Sequence, residues 1–414
     1  MNIVIFEDEG YLNLLPTVYF QPVWELQCGI GTLVQKIIRG FNPESIQFLA
    51  RDYLAKYYLP PNKLFQSDLS GEFLFINGRI LLQKNDVLKL KEIPANSVLN
   101  HDGAIVAVRL NNKTISNYCQ NGLLLYERVL NDFSYTDDSF QIINFPWDLI
   151  YANGSQLEID ALELKKLGKI QGQVDSGTHL VNKDNIFIGK NSRIMTGAVI
   201  NAEDGPIWIG ENCQIMSQAV LNGPLFIGDN SKIKIGAKIY PNTSIGNVCK
   251  IGGEVEDSII QSYSNKQHEG FLGHSYLGSW INIGADTNNS DLKNNYSEIS
   301  IYLHNRMIET GKRFLGVIMG DHTKTAINTM INTGSVIGAC CNIFGAGFPP
   351  KYIPSFSWGG SGGLREYSFK KCLEVSKIVM QRRDIEFSEN HLKLFESVKK
   401  LSSEIENRAR IMGK

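Results

Sequence analysis

The chain has 414 residues and a formal net charge of −1. That length predicts two or three domains, and the balanced charge removes any electrostatic case for nucleic-acid binding. Apolar runs stay shorter than the roughly 18 residues of a membrane span, and the N-terminus lacks the pattern of a secretion signal, so we expect a cytoplasmic protein. The seven cysteines form no CxxC pair, which favours reduced thiols over a metal site or a disulfide framework.

Residues 1 to about 150 alternate short apolar runs with a helical pattern. Strands are predicted at Asn2–Phe6, Ile46–Leu49, Phe73–Ile76 and Ala104–Val108, and a helix at Leu33–Arg39. Such alternation is typical of an α/β domain with a parallel, doubly wound, Rossmann-like sheet.

Short stretches of this region resemble the sugar-1-phosphate nucleotidylyltransferases. The first strand is followed by the run Leu14–Thr17 and by Pro22, and a central strand ends in Asn77-Gly78. The resemblance implies nucleotidyl transfer to a sugar phosphate. However, Arg79 stands where the family has the aspartate that holds magnesium. Arginine cannot ligate Mg²⁺, although it could contact a phosphate.

The loop after the first strand departs further from that family. It contains the acids Glu7, Asp8 and Glu9, one glycine and no arginine. Such a loop should repel a triphosphate rather than bind it through backbone amides. We therefore expect a degenerate domain without ordinary metal-dependent transfer. The open alternative is a rearranged nucleotide site that uses these acids, and only then is Mg²⁺ expected.

A helix is predicted from Pro146 to Leu167, because proline and Asp148 suit its first turn. It resembles the helix that joins two domains in the same family. The predicted division of the chain is a nucleotidyltransferase-like domain, a linker helix, a β-helix domain, and a loop with C-terminal helices, at residues 1–155, 156–168, 169–350 and 351–414.

The most regular pattern of the sequence is an apolar residue at every sixth position between residues 186 and 251. One step is longer, from Ile200 to Ile209, and holds a turn-rich insertion. A helix would repeat every three or four residues and a lone strand every two, whereas a period of six predicts a left-handed parallel β-helix of hexapeptide repeats. The ladder consists of Ile188, Ile194, Ile200, Ile209, Ile215, Leu221, Ile227, Ile233, Ile239, Ile245 and Ile251.

The ladder continues beyond residue 251 with irregular steps. Polar residues 285–316 interrupt it and predict a long excursion from one corner. The last coils are expected to end at Phe348–Pro350, followed by a loop at Ser355–Gly363 and two helices. The second helix has apolar residues along one face, and we expect this face to dock onto the β-helix rather than form a coiled coil. The later inward positions are Leu272, Leu277, Ile283, Met319, Thr325, Ile331, Ile337 and Ile343.

Among the histidines at 101, 179, 268, 274, 304, 322 and 391, one lies in an informative motif. Residues 264–287 resemble, without a gap, the acetyltransferase half of the bifunctional N-acetylglucosamine-1-phosphate uridylyltransferase/glucosamine-1-phosphate acetyltransferase family. The resemblance implies that His268 is the general base, because its neutral ring can take the proton of an attacking amine. His274 falls where that family has aspartate.

The same resemblance implies an acetyl-CoA co-substrate near Ile327 and Gly345. It also implies a small-molecule sugar acceptor, but two of the family's cations are replaced by Tyr240 and Glu256, which disfavours glucosamine 1-phosphate. Asp291 stands where the family has an acceptor-contacting asparagine. The candidate acceptor-binding residues are Tyr240, Glu256, Asn265, Lys266 and Asp291.

Three functions stay open on the sequence. The first is an acyltransferase that acts on an amino sugar or a nucleotide amino sugar. The second is nucleotidyl transfer, with the solenoid as an assembly platform. The third is a non-catalytic scaffold that binds a nucleotide sugar. Flat solenoid faces left unpaired would be liabilities, so we expect a homotrimer.

Overall fold

The computed structural model describes residues 1–66, 71–111, 115–303 and 306–406. His304 and the end of the chain after residue 406 lie outside these ranges. The described residues form two compact units. Unit 1 comprises residues 1–26, 31–145 and 388–398, and unit 2 comprises residues 27–30, 146–387 and 399 onward. No helix in the described ranges is both long and apolar enough to cross a membrane.

Unit 1 contains a six-stranded sheet with the order β2-β1-β3-β5-β4-β8. The small pair β6–β7 lies outside it. The strands are β1 Asn2–Phe6, β2 Ser45–Leu49, β3 Glu72–Asn77, β4 Ser97–His101, β5 Ala104–Asn111, β6 Cys119–Gln120, β7 Leu123–Leu124 and β8 Ser134–Asp137. The helices are α1 Leu33–Phe41, α2 Asp52–Tyr57, α3 Lys84–Lys91 and α4 Tyr126–Asp132.

The α/β class predicted for this region is confirmed, but the all-parallel sheet is wrong. Strand β5 runs antiparallel to both β3 and β4. The reason is local, because Asp102 and Gly103 join β4 to β5 with φ of 45° and 75°. Two residues with positive φ form the tight turn that suits a β-hairpin, and a hairpin makes its strands antiparallel.

Unit 2 is a parallel β-helix built from three sheets. The first face has strands His179–Val181, Val199–Asn201, Val220–Asn222, Lys238–Ile239, Glu254–Glu256 and Phe271–Gly273. The second face has strands Ile186–Ile188, Ile207–Ile209, Leu225–Ile227, Thr243–Ile245, Ile259–Ile260, Tyr276–Leu277, Val317–Met319, Ser335–Ile337 and Tyr352–Ile353. The third face begins with strands Gln173–Val174, Arg193–Ile194, Gln214–Ile215, Lys232–Ile233, Lys250–Ile251 and Asn265–Lys266.

The ladder of sixes is confirmed, since all eleven of its residues are at most 1% exposed and belong to one apolar cluster. Successive coils pair in register, as Ile209 with Ile227 and Ile227 with Ile245. Each buried aliphatic side chain contributes about 1.5–3 kcal/mol, so this column of residues can hold the coils together. Handedness stays a prediction.

The excursion is shorter than the sequence indicated. Asn288–Asn289 returns to the β-helix and pairs with Met330–Ile331, while Ser300–Leu303 and Arg306–Glu309 form a hairpin. Beyond it the third face resumes with the parallel strands Lys324–Thr325, Asn342–Ile343 and Ser357–Gly360. The strand Gly363–Glu366 then pairs antiparallel with Ser357–Gly360.

The predicted end of the coils at Phe348–Pro350 is too early. Ile353 pairs with Ile337, and Gly359 pairs with Ile343, so stacking continues past Pro350. The segment Ser355–Gly363, expected to be a loop, is largely strand. The sequence did not predict this strand because its glycines lower the strand propensity, even though the backbone pairs.

Three helices complete the description: α5 Pro146–Leu164, α6 Phe369–Gln381 and α7 Glu389–Ile405. Within unit 2, α5 is tied to the short segment 27–30. The amide of Gly29 donates to Asn153 Oδ1 at 2.7 Å, and the amide of Ile30 donates to Asp160 Oδ2 at 2.8 Å. At the end of α7, the buried Glu406 accepts hydrogen bonds from the amide and hydroxyl of Ser355.

Candidate functional site

His268 lies in the turn between the strand Asn265–Lys266 and the strand Phe271–Gly273, and its side chain is exposed. Lys266 beneath it is 2% exposed, and its Nζ donates to the carbonyls of Gly252 at 2.8 Å and His268 at 3.0 Å. Burial lowers the pKa of Lys266 to about 8. The lysine therefore fixes the backbone that carries His268, a role that the sequence did not indicate.

His268, Ile327 and Gly345 occupy one column along the solenoid. Four residues pair in register from one coil to the next, and each of the three column residues follows one of them by three positions. The four residues are Asn265, Asn282, Lys324 and Asn342. Three residues named from the sequence for two different roles are thus brought to the same corner of the solenoid, with the coil of Asn282 between those of His268 and Ile327.

The column leads to a cavity of about 410 Å³ beside Gly345. Its walls are mostly glycine backbone from the strands Ser357–Gly360 and Gly363–Glu366, together with two aromatic rings and Arg365. The guanidinium carbon of Arg365 lies 5.9 Å from the centroid of the Trp358 ring. Ile327 is 68% exposed and is not part of this lining.

Tyr240, Glu256 and Asp291 lie at the opposite end of the first-face strands from His268. Glu256 pairs with Gly273, and the amide of Tyr240 donates to Val255 on the same strand as Glu256. A Cβ built on Gly273 would be 2.4 Å from Asp291 Oδ2. Glycine is therefore needed there for the Asp291 carboxylate to lie across the strand.

Asn265 and Lys266, also named as acceptor-binding residues, are at the His268 end instead. The side-chain oxygen of Asn265 accepts a hydrogen bond from Arg383 Nη2 at 3.1 Å. The predicted acceptor residues thus divide into two groups, separated by the length of the strand Phe271–Gly273.

His274 is a functional candidate that the sequence reasoning set aside. Its Nδ1 is 2.8 Å from Asp291 Oδ2, and its Nε2 is 3.9 Å from Asp257 Oδ2. Its ring stacks on Phe314 with the centroids 5.0 Å apart. Coil length is the signal that could have found this pair, because Asp291 follows His274 by 17 residues, the spacing that also relates Asn265 to Asn282 in register.

In unit 1 the named residues Glu7, Asp8 and Arg79 are buried and paired internally. Glu7 accepts from the guanidinium of Arg51 at 2.9 and 3.0 Å. Asp8 accepts from Arg79 at 2.6 and 2.8 Å, and Arg79 also donates to the carbonyl of Ile143. A Cβ on Gly10 would lie 2.3 Å from the guanidinium carbon of Arg79, so the loop glycine makes room for this arginine.

These ion pairs engage three of the four side chains that the sequence offers for a nucleotide site. Arg79 is 3% exposed, and its donors are directed at protein acceptors. Glu9 alone among the four named residues is exposed. Within the described residues, no group of three or more His, Cys, Asp or Glu side chains is arranged to hold a metal ion.

Comparison with known proteins shows what the chain is similar to. Residues 3–167 match the family model described as sugar nucleotidyl transferase. A bifunctional sugar-1-phosphate nucleotidylyltransferase/acetyltransferase from Sulfurisphaera tokodaii is 32% identical over 151 residues, which are 35% of this chain and 38% of that protein. The bifunctional protein GlmU of Methanococcus vannielii is 26% identical over 308 residues, or 72% of this chain and 64% of that protein.

Residues 3–167 are thus similar to sugar nucleotidyl transferases, and the chain as a whole is similar to bifunctional proteins of the GlmU type. GlmU of Prochlorococcus marinus is matched over only 36% of its length, so matches to the first relatives span little more than a third of those proteins. A solved UDP-N-acetylglucosamine acyltransferase from Francisella novicida covers 59% of this chain at 15% identity with a TM-score of 0.26, which is too low to carry an argument.

Proposed function

We propose that the chain transfers the acyl group of acetyl-CoA to the amine of an amino sugar or a nucleotide amino sugar. The observation that carries the proposal is the column of His268, Ile327 and Gly345, which lie at one corner of the solenoid within three coil steps. A long thioester co-substrate that lies along the solenoid axis would follow such a column. The similarity to acyltransferases supports the same class of reaction.

The glycine-rich cavity beside Gly345 supports a site for the distal part of the co-substrate. Four coil steps separate Asn265 from Trp358, because the register runs from Asn265 through Asn282, Lys324 and Asn342 to Trp358. At about 4.8 Å a step this is roughly 19 Å along the axis. Exposed glycine backbone and Arg365 offer hydrogen-bond donors to phosphate groups, while the thioester would be directed toward His268.

His268 is proposed as the general base of this reaction. The amine attacks the thioester carbonyl, a C–N bond forms, the C–S bond breaks, and the thiolate of CoA leaves. The proton lost by the amine passes to the imidazole, and the thiolate is protonated from water or from that imidazolium. Lys266 acts as a positioning residue, because its amino group fixes the His268 carbonyl.

The acceptor is proposed to lack a phosphate near the far end of the strands. Glu256 and Asp291 are both half-buried there, and an anion beside them would be repelled. Burial, and secondarily the neighbouring Asp257, raises the pKa of Glu256. This charge pattern supports an amino sugar rather than a sugar phosphate as the acceptor.

The experiment is a thiol-release assay with acetyl-CoA and a panel of amino sugars and nucleotide amino sugars. His268→Ala should lower kcat at least 100-fold, the range of general-base contributions. His179→Ala is the matched control, because His179 is an exposed histidine on the first face, several coils away. Turnover that persists in His268→Ala, or no turnover with any acceptor, contradicts the proposal.

Nucleotidyl transfer is the second candidate, favoured by the family match of residues 3–167. The internal ion pairs of Asp8 with Arg79 and Glu7 with Arg51 weigh against it. We propose that unit 1 has lost metal-dependent transfer.

A further inference from the structure

A column of three polar corner residues lines one edge of the solenoid. Asn242, Asp257 and His274 lie on successive coils with φ of 57°, 43° and 44°. The amide of Asp257 donates to Pro241, and the amide of His274 donates to Glu256, which sets the stacking. Corner positions of this solenoid repeatedly take positive φ, most often with asparagine. The backbone of His274 is therefore ordinary for this fold, and its side chain is the unusual feature.

These three side chains border a cavity of about 250 Å³. Its other wall is formed by α5, and the complete lining is Ile150, Tyr151, Gly154, Ser155, Asn242, Asp257 and His274. All of these residues belong to unit 2. Binding cavities for larger ligands are about 300–1,000 Å³, so this one suits a single ring or a short amine-bearing group.

The hydrogen bonds around His274 leave two acceptor atoms unused and close together. A carboxylate can only accept, so the 2.8 Å contact with Asp291 requires a proton on Nδ1, and in the neutral ring Nε2 is then an acceptor. Asp257 accepts from Asn242 Nδ2 through Oδ1 at 2.8 Å, which fixes its orientation. Its Oδ2 is then 3.9 Å from His274 Nε2, too far for a direct hydrogen bond.

The charges around the cavity are mainly negative. Asp257, Asp291 and Glu256 lie around His274, and Lys312 lies against the lining with its Nζ 4.3 Å from the centroid of the Tyr151 ring. Tyr151 itself donates its hydroxyl to the carbonyl of Phe314 at 2.8 Å. The described residues include no group suited to a metal ion. The expected ligand is therefore an organic cation that donates hydrogen bonds.

We propose that this cavity is a binding site for a primary ammonium group of a small molecule, which donates one N–H to His274 Nε2 and another to Asp257 Oδ2. A nitrogen placed between two acceptors 3.9 Å apart reaches both at ordinary hydrogen-bond distance. Asp291 holds the imidazole in the accepting tautomer and adds counter-charge. The site is distinct from the His268 turn, and its occupancy does not depend on acyl transfer.

The competing arrangement is a His274 imidazolium shared by the two aspartates, which would need no ligand. The two are separated by calorimetric titration of the full chain, without acetyl-CoA and near neutral pH, with glucosamine, N-acetylglucosamine and glucose. These probes share a ring and differ in carrying an ammonium, an amide or a hydroxyl. Glucosamine should bind at least tenfold more tightly than the other two, and its affinity should fall with added salt.

Two variants assign the binding to the cavity. Asp257→Asn and His274→Gln should each weaken glucosamine binding at least tenfold, while Asp229→Asn should leave it unchanged. Asp229 is an exposed corner carboxylate whose Oδ1 accepts from the amide of Glu211, a contact that asparagine can keep. Thermal melting of each variant shows that it is folded, and histidine ring nitrogen NMR of the unaltered chain gives a readout that needs no variant.

Equal binding of the three probes, binding of inorganic phosphate at the same site, or a doubly protonated His274 ring in the free protein would each overturn the proposal. These outcomes are independent of the thiol-release assay. A chain that binds glucosamine through His274 but never consumes acetyl-CoA would refute the proposed function and leave this site standing.

Discussion

Asp321 is a buried carboxyl group whose protonation should set the pH dependence of solenoid stability. It is 2% exposed, Oδ1 accepts from the amide of Ser279 at 2.5 Å, and Oδ2 has no hydrogen-bond partner among the described residues. Burial raises its pKa from 3.8 to about 7. The folded chain therefore holds this proton to a higher pH than the unfolded chain does.

The sign of the effect follows from proton linkage. Where the folded state binds more protons than the unfolded state, stability falls as the pH rises. For Asp321 this window runs from about 4 to about 7, and above it both states are ionised. Asp321→Asn, which keeps the Oδ1 acceptor, should be more stable than the unaltered chain at pH 8 by a few kcal/mol and lose that advantage at pH 4.

Thermal melting at both pH values checks this prediction. Asp229→Asn is the control, since its carboxylate is exposed and accepts the equivalent hydrogen bond from the amide of Glu211. A stabilisation of Asp321→Asn that is the same at pH 4 and pH 8 would show that Asp321 does not titrate as described.

At the scale of single elements, the six-residue ladder should carry the stability of the β-helix. Ile227 is fully buried between Ile209 and Ile245, whereas Ile235, eight positions further along the chain, is 63% exposed. Truncating a buried isoleucine to alanine costs about 2–5 kcal/mol because it leaves a cavity. Ile227→Ala should therefore lower the denaturant midpoint strongly.

Ile235→Ala is the matched substitution and should change stability by no more than about 0.5 kcal/mol. Urea denaturation followed by circular dichroism measures both, with an unchanged slope required for the comparison. Equal shifts for the two variants would mean that the inward ladder is not what holds the coils together.

The sequence predicted this ladder because an apolar residue recurs at every sixth position. Stacking of the coils then joins these side chains into a continuous core. The sequence predicted far less where contacts join distant coils. His274 and Asp291 are one coil apart, but an irregular coil of 17 residues conceals that relation behind the period of six. The strand Ser357–Gly360 was missed because its pairing is made by backbone, while its glycines resemble a loop.

The charged residues of unit 1 show the same limit. Asp8 and Arg79 are 71 positions apart, and only the adjacency of β1 and β3 brings them together. The sequence showed that Arg79 cannot hold Mg²⁺. It could not show that Glu7 and Asp8 form ion pairs with buried arginines, since the spacing of residues along the chain does not predict those contacts.

At the scale of the whole molecule, the homotrimer expected from the flat solenoid faces stays a prediction, and sedimentation equilibrium tests it. Which of the two units carries a catalytic activity is a separate question. Residues 3–167 match a sugar nucleotidyl transferase model, so this chain could be expected to carry two activities.

We expect only one of them. For Arg79 to bind a triphosphate it must leave Asp8, and an unpaired buried charge costs about 3–5 kcal/mol. The full chain, given a nucleoside triphosphate, a sugar 1-phosphate and Mg²⁺, should release no pyrophosphate above background. The same preparation should release thiol from acetyl-CoA with an amino-sugar acceptor, which shows that the protein is folded and competent.

Pyrophosphate release that Arg79→Met abolishes would contradict this expectation, because it would show that the arginine leaves its carboxylate to serve a substrate. If neither product forms, a thermal shift with acetyl-CoA and with nucleotide sugars separates the remaining cases. Stabilisation by a nucleotide sugar alone indicates a binding scaffold. Stabilisation by acetyl-CoA indicates an acyltransferase whose acceptor was absent from the panel, since a ligand stabilises only the state that binds it.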